Sequence, residues 1–272
     1  MSTDLGLPIY RCPDSGSAPR TDHGSYKVLG VRVDAVQIPQ VIERVERWIA
    51  ESGQSRYVAV TGMHGVTEAQ RSERFRGILG EADLVVADGM PLVWLGRWHG
   101  HNMQRRVYGP ELTESFCQVT GAKYRHFFYG GAPGVADELG RQLQQRYGIR
   151  VAGTCCPPFR ALTAEEDRAV VRQINEANPD VVWVGLSTPK QETWMYEHRH
   201  NLSSPVMFGI GAAFDLNIGK LRQAPEWMRE NGLEWLFRLV TEPRRLWRRY
   251  LVFAPIFAWK VSLELLGLRV FE

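Results

Sequence analysis

Short apolar runs alternate with longer amphipathic stretches along most of this chain. That alternation narrows the fold more than any other feature. The runs are residues 57–60, 84–87, 126–129, 149–152, 181–186 and 206–210. Each is bounded by turn formers and too short for a buried helix. Between them, residues 41–51, 110–120, 135–147 and 164–177 space their apolar positions as an amphipathic helix does. Strands alternating with helices build βαβ units around a mainly parallel sheet, so the expected class is α/β. An earlier alternating run, residues 26–36, predicts a hairpin at the sheet edge.

The pattern changes after residue 210. The chain becomes rich in Trp, Arg and Pro, and reads as helical to its end. Three parts are expected: a flexible tail over 1–24, an α/β core over 25–230, and a helical appendage over 231–272. The first part is rich in Pro, Ser, Gly and Asp and lacks the basic start and apolar core of a secretory signal. In the appendage, Pro243 opens a helix and puts Arg244 and Arg245 in its first turn. Cations there oppose the helix dipole by a few tenths to about 1 kcal/mol, which is tolerable if they hold an anion. Residues 251–268 are apolar apart from Lys260, Ser262, Glu264 and Gly267. The uninterrupted stretch is shorter than the ~20 residues that span a bilayer. Lys260 and Glu264 lie one turn apart and predict a single polar stripe. Such a helix behind an arginine cluster suits a membrane interface. Docking on its own core or on a second copy of the chain is the competing expectation.

The formal charge of +3 hides a local asymmetry. Between Arg238 and Arg249, five arginines stand against Glu242 alone. A patch of that kind recognises phosphates, anionic lipid or nucleic acid. The four cysteines are Cys12, Cys117, Cys155 and Cys156. They show no metal-ligand spacing and fit a reducing, cytoplasmic compartment.

Chemistry-bearing residues cluster where expected strands hand over to helices, the edge at which open α/β sheets bind ligands. Pro189-Lys190-Gln191-Glu192 lies at such a junction, where free helix N–H groups also attract anions. Asp88-Gly89 ends the run 84–87. A carboxylate there gains basicity from partial burial, or it caps the helix starting near Met90. Thr61 ends the preceding run and falls beside Asp88 if those strands are neighbours. His64 is a candidate proton carrier or a structural histidine. Arg106 precedes a helix start and suits a phosphate. Gly130 and Gly131 open a turn that brings backbone close to a phosphate, or simply make a tight βα turn. Asp215, after the glycine-rich segment 209–213, can accept hydrogen bonds from a ribose or a base. No Asp-x-Asp motif is present to hold a divalent cation on a nucleotide diphosphate.

These pieces, in this order, resemble the bacterial glycosyltransferases named for the TagA, WecG and CpsF proteins. The resemblance covers about residues 26–249. It rests on Asp88-Gly89, Arg106 with Gly109, Gly130-Gly131, Gly185-x-x-x-Pro189-Lys190-Gln191-Glu192, Phe214-Asp215 with Gly219, and Ala224-Pro225-x-Trp227. In the appendage it rests on Gly232-Leu233-Glu234-Trp235-x-x-Arg238 and Glu242-Pro243-x-Arg245-Leu246-x-Arg248-Arg249.

The resemblance implies a Rossmann-like core and a place on the inner face of the cytoplasmic membrane. It implies transfer of a sugar from a UDP-sugar to a sugar carried on a polyprenyl diphosphate, with inversion and without a metal or cofactor. Glucose, N-acetylmannosamine and its uronic acid are the donors it suggests, for building a cell-surface polysaccharide. It makes Asp88 the general base and puts Thr61 in the acceptor or catalytic pocket. It links Gln191 and Asp215 to the nucleotide-sugar pocket. It assigns Arg238, Arg245 and Arg248 to an appendage that closes over the site at the membrane and holds diphosphate. Two positions depart from the family pattern: Met63 stands where Asn is usual, and Gln223 where Arg precedes Ala-Pro.

Two other classes are open to a chain of this pattern. A nicotinamide-dependent oxidoreductase shares the alternation, but no strand here is followed by its glycine fingerprint. A binder of nucleic acid or lipid would use the arginines and have no need of Asp88.

Overall fold

The structure is a computed structural model that describes residues 24–51 and 53–271. The expected tail over 1–24 lies outside the described residues apart from Gly24, as does Cys12.

Eight strands form one sheet in the order β1-β2-β4-β3-β8-β7-β5-β6. The strands are β1 (Ser25–Val28), β2 (Val31–Asp34), β3 (Arg56–Thr61), β4 (Leu84–Ala87), β5 (Arg125–Gly130), β6 (Arg150–Cys155), β7 (Val181–Gly185) and β8 (Val206–Gly209). Among the described strands, only β1 runs antiparallel, in a hairpin with β2. All other pairings are parallel, so the strands β2 to β8 present their C-terminal tips along one edge. The expected mainly parallel α/β sheet is the observed one.

Helices α1 (Ile38–Glu51), α5 (Gly109–Thr120), α6 (Val135–Tyr147) and α9 (Ala213–Asn217) cover one face. On the other lie α2 (Met63–Ala69), α3 (Glu73–Gly80), α4 (Met90–Trp98), α7 (Ala164–Ala177) and α8 (Lys190–His198). Neighbouring β3 and β8 send their helices, α2 and α9, to opposite faces. In open α/β sheets a divergence of that kind marks the expected position of a ligand site, above the strand tips.

Apolar runs buried on both faces explain the central strands. Trp183 of β7 stacks on Phe208 of β8 at 4.5 Å between ring centroids. β6 extends three residues past its expected end. Gly153, Thr154 and Cys155 pair with Phe127, Phe128 and Tyr129. As an edge strand, β6 needs no continuous apolar run there, so its sequence gave no strand signal.

The C-terminal part is a chain of short helices: α10 (Glu226–Glu230), α11 (Glu234–Thr241), α12 (Pro243–Trp247), a π-helical segment (Arg248–Phe253) and α13 (Ala254–Leu265). Pro243 does open a helix. α13 packs on the core through Phe257 and Val261. Its polar stripe also faces inward. Lys260 donates to Gln70 Oε1 at 3.3 Å, and the Glu264 carboxylate accepts the Leu29 N–H at 3.0 and 3.1 Å. Leu29 holds φ +50° in the hairpin turn, a conformation costing roughly 1–2 kcal/mol for a residue with a Cβ. Burial of its side chain and the grip of Glu264 on its N–H offset that cost. The outward face of α13 is apolar, with Ile256, Trp259 and Leu265 exposed, and Leu266 just beyond its end is exposed too. Among the described residues, no helix is long and apolar enough to cross a membrane.

Candidate active site

Parallel pairing brings the ends of β3 and β4 together. The Asp88 N–H donates to the Thr61 carbonyl oxygen at 2.9 Å. Thr61 is fully buried, and its Oγ1 has no hydrogen-bond partner. The Asp88 side chain does not cap α4, whose N-cap is Gly89. Instead its Oδ1 accepts the N–H of Gly109, the first residue of α5, at 3.2 Å. Burial raises the Asp88 pKa to about 6, opposed by Arg106, the Gly109 N–H and Arg249 and reinforced by Glu234. A carboxylate poised near neutrality at the rim of a crevice is suited to accept a proton.

The loop before α5 wraps this carboxylate. The Val107 N–H donates to the Ala87 carbonyl oxygen at 2.8 Å, and Arg106 Nη1 reaches the Asp88 carbonyl oxygen at 3.4 Å. Arg106 is not free for a phosphate. Its guanidinium is ion-paired with the buried Glu234 of α11 and lies 4.0 Å over the Tyr108 ring. The Tyr108 hydroxyl donates to the other Glu234 oxygen at 3.2 Å. Glu234 thus fastens the appendage to the floor of the site.

Arg249 enters the same space from the π-helical segment. Burial lowers its pKa, and it acts electrostatically on both Asp88 and His64. Its Nε is buried without a partner. His64, first turn of α2, has its pKa lowered to about 4 by burial, then by Arg249 and Arg71. It is neutral at neutral pH; its Nδ1 is buried without a hydrogen bond, 4.0 Å from Glu68 Oε1. Arg238 and Arg245 share Glu242, at 4.0 and 2.6 Å, and add to the positive field at Arg249. Arg248 points elsewhere: it is exposed and lies 5.7 Å from the Trp247 ring centroid.

Gln191 lies beneath the strand tips. α8 starts at Lys190, so Gln191 and Glu192 fall in its first turn and are buried. Gln191 Nε2 donates to Glu192 Oε1 at 3.1 Å, and the Thr188 hydroxyl donates to the same oxygen at 2.8 Å. Burial pushes Glu192 up to about 7. Gly211 beside Gln191 Oε1 holds φ +53°, a conformation that favours glycine. That oxygen is buried and unpartnered below the crevice. Gly130, at φ +120°, packs so tightly on β7 that a Cβ would meet the Gly185 carbonyl oxygen at 2.6 Å. The Gly131 N–H donates to that oxygen at 3.0 Å. Asp215, on α9, is partly exposed and 3.6 Å from Lys220 Nζ.

Two site residues escaped the sequence reading. Glu234 and Arg249 both lie inside quoted motifs, but no local spacing tells that they meet Arg106 and Asp88 across the fold. Among the described residues, no group of three His, Cys, Asp or Glu is placed to hold a metal ion.

The family model described as "Glycosyl transferase WecG/TagA/CpsF family" matches residues 26–270. A Bacillus spizizenii protein named N-acetylglucosaminyldiphosphoundecaprenol N-acetyl-beta-D-mannosaminyltransferase is 29% identical over 217 residues, 79% of this chain and 82% of its own length. A Staphylococcus aureus protein of the same name is 26% identical over 244 residues, 89% of this chain and 94% of its own. The match reaches from the first strand of the sheet through α13, so it takes in the Asp88 crevice and the appendage arginines alike. This chain is a glycosyltransferase and belongs to the WecG/TagA/CpsF family.

Proposed function

We propose that the enzyme is an inverting, metal-independent transferase. It moves a sugar from a UDP-sugar to a sugar carried on a polyprenyl diphosphate, during assembly of a cell-surface polysaccharide. The observation that carries this reading is Asp88: one carboxylate, raised to about 6, in a crevice that also receives Arg249. Asp88 takes the proton of the acceptor hydroxyl, whose oxygen bonds to the anomeric carbon. The bond from that carbon to the diphosphate breaks on the opposite face, so one displacement inverts the centre and one base suffices. Charge building on the departing UDP is stabilised by Arg249, with Arg238 and Arg245 behind it. Thr61 and His64 line the acceptor side, while Gly130, Gly131, Gln191 and Asp215 frame the donor side. Arg106 contributes through its hold on Glu234.

The names of the relatives support a lipid-linked acceptor and make N-acetylmannosamine the first donor to test, ahead of its uronic acid and glucose. The outward apolar face of α13 and the exposed Trp235, Trp247 and Trp259 support peripheral attachment to the inner face of the cytoplasmic membrane. The test is transfer from these UDP-sugars to N-acetylglucosaminyl-diphospho-polyprenol in detergent with EDTA, read by mass spectrometry. Addition of one sugar with inverted anomeric configuration is expected. Failure of every donor, with no UDP binding, would overturn the reading.

A further inference from the structure

Two rails lead away from the catalytic crevice. One is α2, which carries His64 at its start and passes directly into Gln70 and Arg71. At ~1.5 Å per residue, His64 to Arg71 is about 10 Å. The other is the π-helical segment, which carries Arg249 near its start and Phe253 at its end. The two rails pack against each other, and the Arg71 guanidinium bridges them 5.2 Å over the Phe253 ring, at the edge of the groove.

Beyond that point they open into a groove of about 270 Å³ between α2 and α13. Leu29, Phe253, Ile256 and Phe257 line it together with Thr67 and Gln70, and Arg71 and Lys260 bring positive charge to it. Ile256 is 43% exposed and joins the groove to the outward apolar face of α13. The sequence of environments is therefore directional. A buried arginine beside the base comes first, then an aromatic-walled groove with cations at its edge, then an open apolar face.

We propose that this groove seats the first isoprene units of the acceptor lipid, a site distinct from the one that holds the reacting sugars. This inference rests on the polyprenyl-diphosphate reading above. The occupant is argued from continuity and charge. A diphosphate held near Arg249 leaves its isoprenoid chain at the head of the rails, and the groove is the apolar space they lead to. Branched isoprene units match the apolar part of the groove, and Arg71 and Lys260 draw the negative diphosphate toward its Arg249 end while the hydrocarbon lies inside. The chain then leaves past Ile256 toward the bilayer.

The test uses the full chain and a geranylgeranyl diphosphate carrying a benzophenone at its distal end. Ultraviolet crosslinks mapped by mass spectrometry are expected within residues 67–71 and 253–260. Unlabelled geranylgeranyl diphosphate should displace the probe, and palmitoyl phosphate should not. Ile256→Asp should cut labelling roughly tenfold while its melting temperature stays that of the parent. Crosslinks outside both segments, equal displacement by palmitoyl phosphate, or undiminished labelling of the variant would overturn the groove assignment. Groove labelling in a protein that transfers no sugar would instead sink the transferase reading and leave the groove standing.

Discussion

Glu234, in the first turn of α11, is ion-paired with Arg106, in the loop that wraps the Asp88 carboxylate. The pair is nearly sealed from water, with 13% and 9% of the two side chains exposed. It binds the appendage to the core, and the Glu234 charge opposes the pull of Arg106 on the Asp88 pKa.

Breaking that pair should cost stability and retune the base. Glu234→Gln strands a buried guanidinium, an effect of roughly 3 kcal/mol, read as a lower melting temperature. Arg106→Gln should cost a similar amount, and the double variant clearly less than the sum. Additive losses would mean the two residues do not act as a pair.

Asp88 must be ionised to take a proton, so kcat/KM should fall as pH drops through about 6. Asp88→Asn should lower turnover by ~10² to 10⁴ with the fold intact. Neighbouring charges predict opposite movements of that acid limb. Glu234→Gln removes a charge that raises the Asp88 pKa and shifts the limb down. Arg249→Gln removes one that lowers it and shifts the limb up. Limbs that stay in place in both variants would take Asp88 out of the base role.

Two groups in the core titrate against folding in opposite directions. Glu192 is raised from 4.5 to about 7, so its folded form holds a proton that the unfolded chain has released, and stability falls as pH rises through that window. Glu192→Gln should therefore match the parent near pH 5 and exceed it by up to roughly 3 kcal/mol near pH 8. His126 is lowered from 6.5 to about 4 and accepts the Trp183 Nε1–H at 3.0 Å. Its contribution is present above 6.5 and is lost as pH falls toward 4. His126→Phe should flatten the acid side of the stability curve. Denaturant melts at several pH values decide both.

The outward face of α13 should govern membrane attachment. Replacing exposed Trp259 and Leu266 with Glu should lower cosedimentation with anionic vesicles by at least tenfold, with little change in melting temperature. Unchanged cosedimentation would assign that face to another role, and a shift in sedimentation coefficient of the parent would point to a second copy.

Much of the fold was legible because local chemistry carried it. Buried parallel strands demand short continuous apolar runs, and the fixed φ and missing N–H of Pro243 suit the first position of a helix. The extension of β6 was hidden, since an edge strand tolerates Gly153 and Thr154. The α13 stripe was visible as a stripe but not in its orientation. A polar stripe normally faces water, and here Lys260 and Glu264 turn inward because Gln70 and the Leu29 N–H are there to receive them.

By itself the sequence determined the α/β class and put Asp88 at the C-terminal tip of a parallel strand. Periodicity and residue type are local properties, and these conclusions need nothing else. Tertiary structure alone decided that Arg106 is held by Glu234, that Arg249 reaches Asp88 and His64, and that Arg248 does not. Those outcomes depend on how a helix more than 120 residues away in sequence docks on the loop. Burial and the pairing of charges set pKa values and hold charges in place, and both exist only once the chain has closed on itself.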